Sequence, residues 1–197
     1  DLTFLFYFLP LFFAVYYLVP FRCKNAVLVL GSAACYLLGA GARDALPLSA
    51  VLLLHYFLAR LMVGRPPRMR KGLLAAALSA DLFCLVYFKY AAFFLENWGK
   101  LTGQSFPLVK LVLPLGVSFY LFQSAGYLID VCRGAAAEKN LVDYAAFTIA
   151  FPQLTMGPIL RYDEWRGALK ERTLSREDAF LGFELFAIGL CFKVLLA

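Results

Sequence analysis

Charge is scarce in this chain. Only 16% of its 197 residues are Asp, Glu, Lys or Arg, against about 25% in a soluble domain. Histidine occurs once, as His55. The five cysteines, Cys23, Cys35, Cys84, Cys132 and Cys191, are scattered and form no C-x-x-C. That excludes a disulfide framework and a zinc site as organising features, and no metal site is expected. "GAGARD" holds only G-x-G, and neither a P-loop nor a G-x-S-x-G occurs, which removes the common signatures of nucleotide binding and serine hydrolysis. What the chain has is apolar surface: 62% hydrophobic residues, 20 phenylalanines and a mean hydropathy of +0.74. One core of this length buries only part of its chain, so the natural solvent for these side chains is lipid. The basic balance, with a pI near 9.1, resides in short loops. It is the signature of a cytoplasmic membrane face and not of a nucleic-acid partner.

A membrane span needs about 20 mostly apolar residues. The hydropathy pattern predicts spans at 2–19, 26–42, 46–63, 73–95, 114–132 and 180–197, separated by the polar stretches "RCKN", "GRPPRMRKG" and "ENWGKLTGQS". The fifth is expected to start at Pro114, because proline suits a first helical turn. Ser175 and Asp178 fit a capping box ahead of the last helix. "DEWRGALKER" reads as an interfacial amphipathic turn with Trp165 and Leu169 towards lipid. The expected class is an all-α polytopic membrane fold. Starting at Asp1 and stopping at Ala197 inside an apolar run, the chain reads as part of a longer protein with no internal repeat and no domain linker.

One apolar segment is unlike the rest. "FPQLTMGPILR", Phe151–Arg161, carries Pro152, Gln153, Gly157 and Pro158. Each proline removes a backbone donor and breaks a helix, and Gly157 permits close backbone approach. If segment 144–160 crosses the membrane, the loops on its two sides carry eight Lys/Arg each. If it enters and returns, the split becomes 13 against 3, a strong positive-inside bias. Broken backbone at membrane depth is tolerated where it is surrounded by protein or lines a wet cavity. The expectation is a re-entrant or broken element, with the N-terminus outside and five full spans before it. A kinked crossing helix is the alternative.

Few residues carry intramembrane chemistry. Asp81 and Lys89 lie in the fourth span, eight residues apart, about 12 Å along a helix and about 80° around it. No direct ion pair between them is expected. Lys89 suits snorkelling within an aromatic belt, and Asp81 suits either a hydrogen bond to a neighbouring helix or a functional role. Gln123 sits mid-way along the fifth span. Asp130 and Arg133, three apart at its end, fit a local ion pair. His55 has no Ser, Cys or acid near it in sequence and reads as a hydrogen-bonded packing residue.

Two stretches about thirty residues apart, "LPLGVSFYLFQSAGYLIDVCRG" (Leu113–Gly134) and "FPQLTMGPILR", resemble the paired signatures of membrane-bound O-acyltransferases. "YFKYAAFF" and the opening "FLFYFLPLFFAVYYLVP" fit as well, so the resemblance covers nearly the whole chain. The closest branch is the bacterial one that O-acetylates alginate and other cell-surface polysaccharides, and the branch that D-alanylates teichoic acid is similar. The resemblance implies a multi-pass protein of the bacterial plasma (inner) membrane with a funnel or tunnel. An acyl thioester, acetyl-CoA or an acyl-carrier protein, would be the cytoplasmic donor substrate, with no bound cofactor. The implied partners are membrane lipid, a polysaccharide acceptor, and periplasmic or extracellular acetylation proteins, with no nucleic acid. The family's catalytic histidine would lie beyond residue 197. His55 does not match it, so residues 1–197 would be the N-terminal part of one acyltransferase domain, inactive alone. The implied structural positions are Pro114, Gly116, Pro152, Gly157 and Pro158. The implied tunnel or substrate positions are Asp81, Lys89, Gln123, Asp130, Arg133, Gln153 and Arg161. The residues themselves leave two other classes open: a transporter using Asp81 and Lys89, and a non-catalytic scaffold of a polysaccharide secretion complex.

Overall fold

The computed structural model of the chain describes residues 2–102, 114–154, 157–172 and 175–195. Among the described residues the fold is helical throughout, without strands. Thr155 and Met156 of the broken stretch, Lys110 and the end of the polar loop after the fourth span lie outside the described residues, as do the last two positions of the sixth span. A π-helical turn, Phe4–Phe8, leads into α1, Leu9–Leu18. There follow α2 (Lys24–Ala40), α3 (Ala42–Met62), α4 (Pro67–Thr102), α5 (Val117–Arg133), α6 (Leu141–Ile149), α7 (Tyr162–Lys170) and α8 (Arg176–Leu195). The chain divides into two compact units, Asp1–Tyr162 and Asp163–Ala197.

The helix bounds depart from the hydropathy pattern where local chemistry outweighs it. The loop expected between the second and third spans shrinks to Gly41, which ends α2 and starts α3. α4 runs through both flanking polar stretches, 36 residues in all and about 54 Å long. Pro67 opens it, where a missing N–H costs nothing, and Lys100 donates to Glu96 one turn back at its far end. α5 does not start at Pro114. That proline lies in a turn closed by Gly116 in the left-handed region, and the helix begins at Val117.

Phe21–Ala40, Ala42–Met62 and Pro67–Ala91 are long and apolar enough to cross a membrane, and Phe4–Leu18 is a shorter apolar helix. Their outer faces are greasy: Leu38 is 84% exposed and Phe83 71% exposed, as expected of side chains solvated by lipid. α5 is the opposite. It packs against α3, α4 and α6, and ten of its 17 residues are buried. A helix with Gln123 and Asp130 on its buried faces is held in the middle of the bundle because there these polar groups find partners.

The broken stretch is anchored to this centre. α6 climbs nine residues and stops at Ala150. Phe151–Leu154 then turns, Gln153 and Leu154 both donating to the Ala150 carbonyl. Gly157 lies so close to Gln153 that an added Cβ would stand 2.4 Å from its Cα. Phe151 meets Phe4, Phe8 and Phe12 edge-on, with centroids 5.8, 5.6 and 5.0 Å away. Those three phenylalanines are spaced by four, so one helix face presents them as a ladder. At its start the segment is tied by Asn25 to Asp143, 2.7 Å. At its peak the Phe151 N–H donates to Ser32, 3.0 Å, and Leu154 rests over Gly116. At its end Arg161 reaches Asp130 and Tyr162 reaches Glu138. Gly116 and Asp130 are 14 residues apart on α5, about 21 Å. The chain thus rises as α6 and descends as extended backbone to the end of the bundle where it began. Among the described residues this path runs back along α5 and is not one continuous kinked helix. If the bundle sits in a membrane as the charges suggest, cysteines at Gln104 and Ser175 in a cysteine-free background should differ in intact cells. An impermeant thiol reagent labels Gln104 and spares Ser175, and equal labelling would rule out re-entry.

In the second unit, Ser175 and Asp178 form the expected reciprocal cap: the Asp178 N–H donates to the Ser175 hydroxyl, and the Ser175 N–H donates to the Asp178 carboxylate. α7 carries Asp163 and Glu164 in its first turn and Lys170 in its last, the favourable sense for the helix dipole. Leu169 is buried and not turned outward.

Candidate functional site at the broken helix

Gln123 is the hub. Its Nε2 donates to the Phe147 carbonyl at 3.4 Å and to Gln153 Oε1 at 3.3 Å, and its Oε1 accepts from the Leu160 N–H at 3.3 Å. One buried amide therefore stitches the rising limb, the turn and the descending limb to α5. Below it, Arg161 closes the descending limb. Its Nη2 donates to Asp130 Oδ1 at 2.9 Å and its Nε approaches Oδ2 at 3.5 Å. The guanidinium side chain is 63% exposed while that of Asp130 is 11% exposed, so the pair sits at the mouth of the broken segment, not inside it. Arg133, expected to pair with Asp130, is exposed, and Arg161 takes that place. The reason is geometric: a planar fork arriving from a second chain segment meets both carboxylate oxygens.

Asp81 and Lys89 of α4 are not brought to this site. Lys89 is exposed, with its ammonium 5.7 Å from the Tyr90 ring centre. Asp81 is buried and pairs across to α3, its Oδ2 3.0 Å from His55 Nε2. His55 Nδ1 lies 2.9 Å from the Val51 carbonyl. A carbonyl only accepts, so Nδ1 carries a proton. Nε2 meets the Asp81 carboxyl group in the second contact. Both ring nitrogens of His55 are thus engaged within the helix bundle.

Pro114 and Gly116 form the turn against which Leu154 rests. The turn is pinned by Tyr36, whose hydroxyl donates to the Leu115 carbonyl at 2.8 Å, and by the Leu115 N–H donating to Asp44 at 3.3 Å. This explains why the two stretches that carry the family resemblance occur as a pair: each is the packing partner of the other.

Sequence reading missed Glu138, a buried carboxylate in the α5–α6 link. Its Oε1 accepts from the Lys139 and Asn140 N–H groups, and its Oε2 accepts from the Tyr162 hydroxyl at 2.5 Å. Burial, the hydrogen bond and the Glu138 charge all push the Tyr162 phenol up, so it stays a donor. "AAAEKN" gives no local hint of this, because the partner is 24 residues away. Among the described residues no group of His, Cys, Asp or Glu is placed to hold a metal ion. The broken segment and α5 together present the amides of Gln123 and Gln153, with a clamped guanidinium at the mouth.

Similarity to known proteins agrees with the motifs. The chain is 36% identical over 204 residues to the probable alginate O-acetylase AlgI of Azotobacter vinelandii, covering 99% of this chain and 40% of that protein. It is 37% identical over 206 residues to the protein of the same name from Pseudomonas putida, covering 99% and 41%. It is 28% identical over 227 residues to a peptidoglycan O-acetyltransferase of Helicobacter pylori, covering 98% and 43%. The chain thus spans about two fifths of the length of these curated relatives. No family model and no solved structure matches it. Carried on almost every residue of the chain, this likeness to bacterial O-acetylases is consistent with the O-acetylation branch of the membrane-bound O-acyltransferase family.

Proposed function

We propose that this chain belongs to a membrane-embedded O-acyltransferase acting on cell-surface polysaccharide in the bacterial inner membrane. A thioester donor, acetyl-CoA or an acyl-carrier protein, presents its acyl group from the cytoplasmic side, and a hydroxyl of an extracellular polysaccharide receives it. In the reaction the C–S bond breaks, a C–O bond forms, and the hydroxyl proton ends on the released thiol. A histidine outside residues 1–197 supplies the general base, and periplasmic proteins deliver or receive the polymer. The relatives named for acetylating alginate and peptidoglycan support the acceptor class. The observation that carries the reading is the path of residues 141–161, a broken segment stitched to α5 by Gln123 and closed at its mouth by Arg161 on Asp130. Broken backbone persists at membrane depth where it is buried in protein or lines a polar passage, and a water-poor passage limits hydrolysis of the thioester.

The test uses membranes containing the full-length protein, a radiolabelled acetyl thioester and a polysaccharide acceptor. Label should move to the polymer, and its failure to do so at any protein level would sink the reading. In the same assay Arg161→Ala should insert normally yet lose about 10²-fold in transfer, the scale of a misplaced positioning element. Full activity at matched protein level would reduce Arg161 to a surface anchor.

A further inference from the structure

The buried side of α5 facing α4 and α6 holds hydroxyl groups that none of the foregoing uses. Tyr120 and Ser124 lie one helical turn apart, 1% and 0% exposed. Tyr144 of α6, also 0% exposed, places its phenol beside the Ser124 and Thr148 hydroxyls and within electrostatic reach of Asp81. The Tyr120, Ser124 and Tyr144 oxygens are buried, yet among the described residues none meets a protein partner at hydrogen-bonding geometry. The Ser124 and Thr148 hydroxyls lie near enough to act on the Tyr144 phenol, and Thr148 spends its proton on the Tyr144 carbonyl. One orphaned hydroxyl in a helix bundle would be packing noise. Two on adjoining turns of α5 and one across on α6, beside a buried carboxylate, form a polar site, and buried polar atoms without protein partners are met by ordered water with two to four hydrogen bonds each.

The file has neighbours at both ends. Above it, the Tyr120 phenol interacts with Tyr36 and Asp44, the pair that pins the Leu115 turn. Below it, the Tyr127 ring lies 4.8 Å from that of Tyr144, and the Tyr127 hydroxyl accepts from the Glu138 N–H. Hydroxyl oxygens thus recur along α5 from the Gly116 end to the Asp130 end. His55 is not a member, because both its nitrogens are engaged.

We propose that ordered water bridges Tyr120, Ser124 and Tyr144, and that this hydrated file is the route by which a proton crosses the helix bundle. The second half rests on the acyl-transfer reading. A hydroxyl on one side of the membrane loses a proton, and a thiolate on the other side gains one. Hydrocarbon side chains cannot pass it, whereas hydroxyls and water can, each oxygen accepting one proton as it releases another.

Two measurements on the full-length protein in lipid nanodiscs or vesicles test the two halves separately. In hydroxyl-radical footprinting, Tyr144 should be modified about ten-fold faster than the equally buried Phe147, because bound water generates the radical locally. Equal rates would overturn the hydration. In vesicles with donor inside and acceptor outside, Ser124→Ala and Tyr144→Phe should each lower transfer by about 10²-fold, the lower bound for loss of a proton-transfer group. Their solvent deuterium isotope effect should rise above that of the parent, which a purely structural loss would not produce. Parental transfer in both variants, or an unchanged isotope effect in slowed ones, would overturn the proton role. A parent protein that transfers no acyl group sinks the acyltransferase reading, and with it the proton role, while the footprint still decides the hydration.

Discussion

His55→Ala should cost the helix bundle about 3–5 kcal/mol if the contact is a buried ion pair, the usual effect of removing one partner of such a pair. The ring is fully buried, and Asp81 is left with its carboxylate facing the gap. A plain intramembrane hydrogen bond is worth about 0.6 kcal/mol on average, so the size of the loss separates the two descriptions of this contact. The pair mutant His55→Leu/Asp81→Leu should recover most of the loss, since apolar replacement of a whole buried pair is often neutral. Reversible unfolding in mixed micelles would measure all three proteins. Singles and double that are equally destabilised would show that shape, and not charge pairing, holds α3 to α4. In variants that still fold, turnover of the full-length enzyme should stay within a few-fold. Loss of a general base costs about 10²–10⁴-fold, so a drop on that scale would make His55 the base.

Gly116→Ala should be nearly as damaging, by a different cause. Gly116 has φ +71°, a region that costs an L-residue about 1–2 kcal/mol. The added Cβ would also stand 2.4 Å from the Leu154 carbonyl oxygen. That obstacle is backbone, so it cannot swing aside, and relief requires the turn of the broken segment to move. Gly134→Ala is the control. Its φ is +114°, yet nothing lies within 4 Å of the Cβ position, so it carries the backbone term alone. The same unfolding measurement should place Gly116→Ala well beyond Gly134→Ala, and the former should also reduce acyl transfer by displacing Leu160 from Gln123. Equal losses at the two glycines would mean that the Gly116–Leu154 contact adds nothing.

Both experiments probe contacts between residues far apart in sequence, and these were the ones a linear reading missed. The Ser175–Asp178 cap and the break after Ala150 were legible, because each depends on residues within one or two turns. The partner of Asp130 was misread as Arg133, since helical spacing favours a neighbour three residues on, whereas the return of the chain supplies Arg161 from 31 residues away. Glu138 looked like a loop charge and is a buried acceptor. The extent of α4 was also underread: hydropathy marks where a helix meets lipid, while hydrogen bonding continues past it into water.

By itself the sequence determined the solvent of this protein. Composition and run length require lipid-facing helices, and two prolines and a glycine forbid a regular helix through 151–158. The descent of that segment to the end of the bundle where it began was decided only by tertiary structure. So was the assignment of partners, Gln123 to Leu160, Arg161 to Asp130 and His55 to Asp81. Local propensity and hydropathy act over a few residues and see one chain segment at a time. A buried polar group instead takes whichever partner the packing of other helices brings within about 3 Å.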